Sequence, residues 1–405
     1  MGAGNQRTGL NGREVKAMAA SLKNQVSVIG VGCIKFGDNF DQGYEEMAVD
    51  AAFAAFHDGR IAPEEIDAAW LGTYSPAQGH GKAAVSLGDA LRLYNKPISR
   101  VENFCATGTD AFRHAVLAVA SGMYDTALVL GVEKYKDRPG RGLAREGIHP
   151  YYHDGSTAPG LFALAATRYM HTFGLKRETL AKVAVKNHYN GSLNAKAHLR
   201  KKVTAETVLS APIVAYPFGL YDCCPTTDGA AATVVCRADL ARKYRADHIP
   251  VKGVGLSVTS GRPFMDPNFD YLGFRATQYA AAQAYAMAGI TDPLSEIDVA
   301  EVHDCFTWTE ISNYEDLGFI RKGEGARLIE EGRTALDGDI PVNPSGGLKS
   351  FGHPIGASGV RMVYEIVTQL RGQAGPRQVK DPKLGLVHNV GGPGAVSCVA
   401  ILGQP

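Results

Sequence analysis

The feature that most constrains this chain is a repeat. Residues 48–72, AVDAAFAAFHDGRIAPEEIDAAWLG, and residues 283–304, QAYAMAGITDPLSEIDVAEVHD, share one pattern: an Ala-rich helix, a Gly, an Ile, a Pro, then Glu-Ile-Asp and an apolar strand. A strand containing Gly-Val-Gly opens each half, at 28–32 and 251–255. The register continues, because the stretch around Cys105 falls about as far beyond the first copy as SFGHPIGASGVRMVYEIVTQL (350–370) falls beyond the second. Each of these stretches leads into a helix and a further apolar strand. Three matches in the same order imply two duplicated halves, 26–250 and 251–405, behind an N-terminal arm, 1–25. The first half is longer by an insertion at about 133–225, rich in His, Tyr, Arg and Lys, which reads as a loop excursion rather than core.

Periodicity fills in the halves. Apolar runs at 26–32, 68–73, 126–132, 230–236, 251–258, 299–304, 384–390 and 395–402 predict strands. Helical spacing occupies 44–58, 82–94, 108–121, 177–190, 274–288, 308–317 and 357–371. This alternation predicts an α/β chain with mixed, largely buried sheets.

Composition excludes several function classes. With 42 Lys+Arg against 41 Asp+Glu, charge alone implies no nucleic-acid partner. No run of about 18 apolar residues occurs, so no membrane span is expected. Seven cysteines without regular spacing fit neither a disulfide framework nor a paired zinc motif, which points to a reducing cytoplasm. The first residues are polar and Gly-rich without an apolar leader, and read as a loose arm. The segment GVGCIKFG (30–37) lacks a suitably placed acidic residue, and no Gly-rich phosphate loop with Lys-Ser/Thr is present, so nucleotide cofactors are not expected.

The residues that carry chemistry sit at matching turns. In VENFCATGTDAFRHAVLAVASG (101–122), Cys105 lies at a strand-to-helix seam, where helix amides and the helix dipole favour thiolate over thiol. An inert core cysteine is the commoner fate of such a residue. The second copy places His353 at the equivalent turn, in GHPIGASG (352–359). Two halves packed about a pseudo-twofold axis bring these turns face to face, as an activated nucleophile requires. EVHDCFTWTE (301–310) adds His303 and Cys305, two residues apart. A His-x-Cys pair is half a metal site, but no second pair accompanies it, so an acid/base cysteine beside a hydrogen-bonding histidine is preferred and no metal is assigned. LVHNVGGPGA (386–395) ends a strand in glycines whose amides suit an oxyanion.

Together ENFCATG, YDCCPTTDGAAA (221–232), EVHDCFT, NPSGGLKSFGHPIGASG (343–359) and HNVGGPGA resemble the thiolase superfamily, in the branch typified by the thiolase domain of sterol carrier protein. The resemblance runs from about 26 to 403. It implies a layered α-β-α-β-α fold with two mixed five-stranded sheets. It also implies roles: Cys105 takes the acyl group, His353 activates it, His303 serves one oxyanion hole, and the amides of Cys105 and Gly391 form another. Better-known thiolases carry a second catalytic cysteine in the C-terminal motif where this chain has Asn389, so Cys305 becomes the substitute acid/base.

A thiolase cleaves a 3-oxoacyl-CoA with free CoA, or runs the reverse Claisen condensation. The alternatives are a ketoacyl-synthase-like condensing enzyme or acyltransferase on the same scaffold, and a non-catalytic lipid-binding or scaffold member. Coenzyme A is then a substrate, and Lys134, Lys136, Arg138, Arg141, Lys182 and Lys186 of the insertion are candidates for its phosphates. Arg141, Arg145, Tyr151, Tyr152 and His153 suit a bulky aromatic or dicarboxylic acyl group such as that of benzoylsuccinyl-CoA. The resemblance further implies a homodimer, paired at an edge of the sheet carrying 126–132, and a small OB-fold and zinc-ribbon partner subunit.

Overall fold

The computed structural model describes residues 22–75, 82–137, 157–260 and 268–405. Its strands are β1 (Val26–Cys33), β2 (Ala68–Gly72), β3 (Ile98–Val101), β4 (Thr126–Glu133), β5 (Ile213–Ala215), β6 (Phe218–Gly219), β7 (Gly229–Arg237), β8 (Ile249–Val258), β9 (Val299–Glu301), β10 (Leu384–Gly391) and β11 (Val396–Gly403). The main sheet runs β3-β2-β4-β7-β1-β8-β11-β10-β9. Read outward from the β1–β8 junction, its two arms repeat one another, parallel and antiparallel pairings included.

The expected pair of five-stranded sheets is therefore one continuous sheet of nine strands. Two residue pairs, Ser27 with Pro250 and Val28 with Ile249, join the halves. The fifth position of the second half shrinks to a single parallel bridge, Ala300 to Val342. Val342 follows Pro341 and precedes Asn343-Pro344, and proline has no N–H to extend a ladder.

The two Gly-Val-Gly segments do the same job in each half. A Cβ at Gly30 would lie 2.2 Å from the Ala55 carbonyl oxygen, and one at Gly255 would lie 2.0 Å from that of Ala280. The missing side chains let the Ala-rich helices Tyr44–Gly59 and Arg275–Ala288 lie directly on β1 and β8. Between the two arms of the sheet, helices Thr107–Ala120 and Ile355–Leu370 pack on each other and on strands of both halves. Their crossing also needs bare backbone, since a Cβ at Gly131 would meet the Gly356 carbonyl at 2.2 Å. This contact fixes the relative position of the two turns that open the central helices.

The insertion is not a loop excursion. Its described part carries helices Ala158–Phe173 and Arg177–Ser192, only the second of which the sequence period predicts. The first starts at Thr157, whose hydroxyl accepts from the Gly160 amide at 3.2 Å, and stops at Gly174, at φ 72°. Its inner face buries Phe162, Ala166 and Tyr169, and Phe162 joins Phe218 and Phe306 in an aromatic cluster with ring centroids 4.9–5.0 Å apart. Helix Arg177–Ser192 lies so close to the segment before His353 that a Cβ at Gly191 would fall 2.0 Å from Ser350 Oγ. At the other end of the sheet, β4 is flanked by β2 and β7, so the free edge of the first half is β3.

Candidate active site

Cys105 follows β3 by four residues and precedes its helix by two. Phe104 adopts φ 48°, a left-handed conformation costly for a bulky side chain, and this turns the chain sharply at the cysteine. Thr107 holds the turn, its hydroxyl accepting from the Asn103 amide at 2.8 Å and donating to the Phe104 carbonyl at 2.6 Å. The Gly391–Gly394 turn packs against it, with the Gly392 amide directed at the sulfur. Gly391, the expected donor, ends β10 against this same turn: a Cβ there would sit 2.6 Å from the Asn103 carbonyl oxygen.

His353 is buried at the turn before helix Ile355–Leu370, its amide bonded to the Pro225 carbonyl at 3.1 Å. Ser358 Oγ donates to the Pro354 carbonyl at 3.0 Å, so its contact with His353 Nδ1 at 2.8 Å is accepted from the ring. The proton of the neutral imidazole is then on Nδ1, and Nε2 offers a lone pair. That Nε2 is buried with no partner among the described residues.

Cys105 Sγ and a ring nitrogen each of His303 and His353 all lie within 4.8 Å of one another. The two imidazoles meet edge to face at 5.5 Å between centroids. His303, just past β9, is fully buried, and its Nε2 likewise has no partner among the described residues. Its Nδ1 lies 3.3 Å from Asn389 Nδ2, and Asn389 Oδ1 makes a short hydrogen bond with the Thr109 hydroxyl. Cys305 is buried next to this group, with Sγ 3.7 Å from Thr309 Oγ1.

The electrostatics differ from the sequence expectation in one respect. Burial pushes the Cys105 thiol up to about 12, aided by the charges of Glu133 and Glu102, and the amides of Gly392 and Cys105 itself offset only part of this. A helix start alone does not make a thiolate when the sulfur is this enclosed. His353 is held down to about 3 by burial and by Arg361, and His303 well below its ordinary value by burial and by His353. The resting site is thus a neutral thiol beside two neutral imidazoles. Burial also keeps Cys305 protonated, reinforced by Cys224 and Cys105. A sulfur with two imidazole nitrogens is also a donor set that a zinc ion accepts. As acid–base chemistry, it is a thiol with a lone-pair acceptor in reach.

The insertion lysines divide. Lys134 is buried against Asp228 at 2.8 Å and Lys186 against Glu310 at 2.9 Å, so neither presents its ammonium to a phosphate, contrary to the expectation. Both bind the fold together. Lys136 pairs with Asp38 at 2.9 Å and keeps part of its surface, and Lys182 is exposed. Arg138, Arg141, Arg145, Tyr151, Tyr152 and His153 lie outside the described residues. Sequence reasoning missed Ser358, Thr109 and Cys224. Ser358 and Thr109 stand in GHPIGASG and ENFCATGTD, but only the fold shows which side chains their hydroxyls meet.

The family model described as thiolase, N-terminal domain matches residues 26–239, and that described as thiolase C-terminal domain-like matches 265–404. An acetyl-CoA acetyltransferase of Methanothermobacter thermautotrophicus is 42% identical over 386 residues, covering 94% of this chain and 99% of that protein. Human sterol carrier protein 2 is 33% identical over 396 residues, 92% of this chain and 71% of its own length. Benzoylsuccinyl-CoA thiolase subunit BbsB of Thauera aromatica is 32% identical over 380 residues, 92% and 96% of the two chains. Among solved structures, the Ltp2-ChsH2(DUF35) aldolase superposes with a TM-score of 0.84 at 23% identity, over 95% of this chain and 99% of that one. The fold and the paired family domains define an acyltransferase of the thiolase kind. The chain belongs to the thiolase family. Among the described residues no helix is long and apolar enough to cross a membrane.

Proposed function

We propose that the chain cleaves a 3-oxoacyl-CoA with free CoA through an acyl-Cys105 intermediate, or runs the same steps backwards as a Claisen condensation. The observation that carries this is the meeting of Cys105 Sγ with two histidine nitrogens within 4.8 Å, the cysteine from one half and the histidines from the other. His353 Nε2 takes the thiol proton as sulfur attacks the 3-carbonyl. This general-base step suits a thiol that is not ionised at rest. The C2–C3 bond then breaks, its electron pair passing to C2 as the enolate of the departing thioester. Cys305, kept as S–H by burial, delivers its proton to C2 and releases that thioester. The thiolate left on Cys305 accepts the proton of the incoming CoA thiol, whose sulfur attacks the acyl group on Cys105. Cys105 leaves and regains its proton from His353, freeing the shortened acyl-CoA.

Two oxyanions form in this sequence, one on the attacked carbonyl and one on the enolate. His303 Nε2, buried without a partner among the described residues, would meet one, and the amides of the Cys105 and Gly391–Gly394 turns the other. A cavity of about 200 Å³ lined by Thr259, Ser260, Arg275, Tyr279 and Pro393 shares this glycine turn, and we take it as the approach for the thioester arm. Lys182 and Lys136 remain candidates for the CoA phosphates.

For substrate, the relative at 42% identity favours a short 3-oxoacyl-CoA. The arginines and tyrosines of 141–153 and the BbsB relative favour an aryl dicarboxylic one. A comparison of kcat/KM for acetoacetyl-CoA, a long-chain 3-oxoacyl-CoA and an aryl dicarboxylic 3-oxoacyl-CoA decides. Tenfold preference for either simple substrate, about 1.4 kcal/mol at the transition state, removes the aromatic reading. We further propose a cytoplasmic homodimer paired along β3, and a small DUF35-type partner bearing an OB-fold and zinc ribbon. The partner reading is supported by the DUF35 component of the Ltp2-ChsH2 structural neighbour and by BbsB being one subunit of its thiolase.

A further inference from the structure

The site holds two neutral imidazoles with opposite needs. One must accept a proton from sulfur and the other must donate to an oxygen, although the rings are chemically identical. The structure gives each ring a different second partner. His353 Nδ1–H is taken up by Ser358, whose own proton is committed to the Pro354 carbonyl, so Nε2 is a lone pair. His303 Nδ1 meets Asn389 instead.

Asn389 is fully buried on β10, between His303 and Thr109. A primary amide can face these two neighbours in two ways. With Oδ1 toward Thr109, the threonine hydroxyl donates to it and Nδ2–H donates to His303 Nδ1. The neutral ring must then carry its proton on Nε2. With the amide flipped, Oδ1 would accept from His303 Nδ1–H, and Nε2 would become a second unprotonated ring nitrogen beside His353. Both Nε2 atoms are buried without another partner among the described residues. Two unprotonated Nε2 atoms buried in one cluster would leave both lone pairs without a donor from either ring, whereas an N–H on one ring supplies a donor there. The first orientation therefore prevails.

We infer that Asn389, oriented by Thr109, is a positioning residue that holds His303 as its Nε2–H tautomer and so makes it a hydrogen-bond donor toward the reacting carbonyl oxygen. The inference rests on the thiolase reading for the identity of that oxygen, but the tautomer itself is independent of it. Thr109 lies on the helix that follows Cys105, so the same helix that presents the nucleophile also sets the donor. The titratable and charged groups facing His303 are Cys105, His353, His388 and Arg361.

The test is Asn389→Asp, which keeps size and shape but can only accept. With the variant carboxylate at Nδ1, the His303 proton moves to Nδ1 and Nε2 loses its hydrogen. In protein labelled with ¹⁵N-histidine, long-range proton–nitrogen spectra should show His303 as Nε2–H in the wild type and Nδ1–H in Asn389→Asp. At pH about 8, kcat should fall about 10²-fold, as when an oxyanion donor is removed, with KM changed less than about twofold. It should recover as pH is lowered and His303 takes a second proton, a limb that the wild type lacks. Thr109→Val, which frees the amide to flip, should cost several-fold in kcat and give a mixed tautomer. A wild-type His303 protonated on Nδ1 overturns the inference. So does an Asn389→Asp enzyme with wild-type kcat from pH about 6 to 9. Failure to acylate Cys105 with any 3-oxoacyl-CoA would count against the catalytic reading and leave the spectrum to decide the tautomer.

Discussion

The turn at Cys105 and the turn at His353 occupy equivalent places in the two halves, yet they are built differently. The first follows a true strand, β3, on the free edge of the sheet, and Cys105 keeps some exposed surface. Its bend is made by Phe104 at φ 48°. The second follows a strand position reduced to one bridge at Val342, is covered by helix Arg177–Ser192, and bends at Gly352, at φ 116°. Everything from Val342 to Leu370 except Tyr364 is buried. Duplication supplies two facing turns, and the insertion makes them unequal. One offers a thiol on a residue that keeps some surface, the other an imidazole so dry that its pKa falls to about 3. A symmetric scaffold can then hold an acid and a base that do not neutralise each other at rest.

This contrast can be broken from either side. The largest effect is expected from Cys105→Ser, which should lower turnover roughly 10⁴-fold or more, because Cys105 is the thiol that meets both imidazoles. Steady-state thiolysis of acetoacetyl-CoA measures it, and residual activity above a hundredth of wild type would shift the nucleophile elsewhere. Lys134→Met comes next. Leaving Asp228 buried without its ammonium should destabilise the fold by about 3–5 kcal/mol, read as a lower midpoint in urea. KM for CoA should stay within twofold. A raised KM with an unchanged midpoint would return Lys134 to the phosphate-binding set.

Smaller still is Gly131→Ala, whose added methyl would press on the Gly356 carbonyl where the central helix crosses β4. A loss of about 1–3 kcal/mol is expected from overpacking. Because this contact sets the spacing of the two turns, acylation should slow as well; a stable variant with normal acylation would show that the crossing is not what aligns them. The mildest probe is iodoacetamide. With the Cys105 thiol pushed up to about 12, its thiolate fraction, and so its alkylation rate, should rise about tenfold per pH unit between pH 7 and 9. A rate already level at pH 7 would mean a preformed thiolate.

Much of this was legible in the chain because the repeat is written in residues that packing demands. Gly30, Gly32, Gly253 and Gly255 each remove a Cβ that would collide with a helix carbonyl, so the pattern could be read without knowing the fold. Cys105, His353, His303 and Cys305 were legible for a related reason, since they sit at or near strand ends that the repeat aligns. The helix Ala158–Phe173 was not, because its buried face is spaced by small residues and its partners, Phe306 and Trp308, are over a hundred residues away. Lys134 and Lys186 misled because a lysine buried on a carboxylate and one reaching for a phosphate look alike in one dimension. The depressed histidines and raised thiols depend on enclosure by both halves, which no local window contains.

The most direct measurement of the central claim is the intact mass of the protein after brief exposure to acetoacetyl-CoA without free CoA, for the wild type, Cys105→Ala and His353→Ala. An acyl-Cys105 intermediate formed with His353 as base predicts one acetyl group on the wild type, mapped to Cys105 by peptide sequencing, and none on Cys105→Ala. On His353→Ala, acylation should be slowed about 10²–10⁴-fold, the span expected for loss of a general base. Acetylation of Cys105→Ala to the wild-type extent, or wild-type acylation rates in His353→Ala, would contradict it.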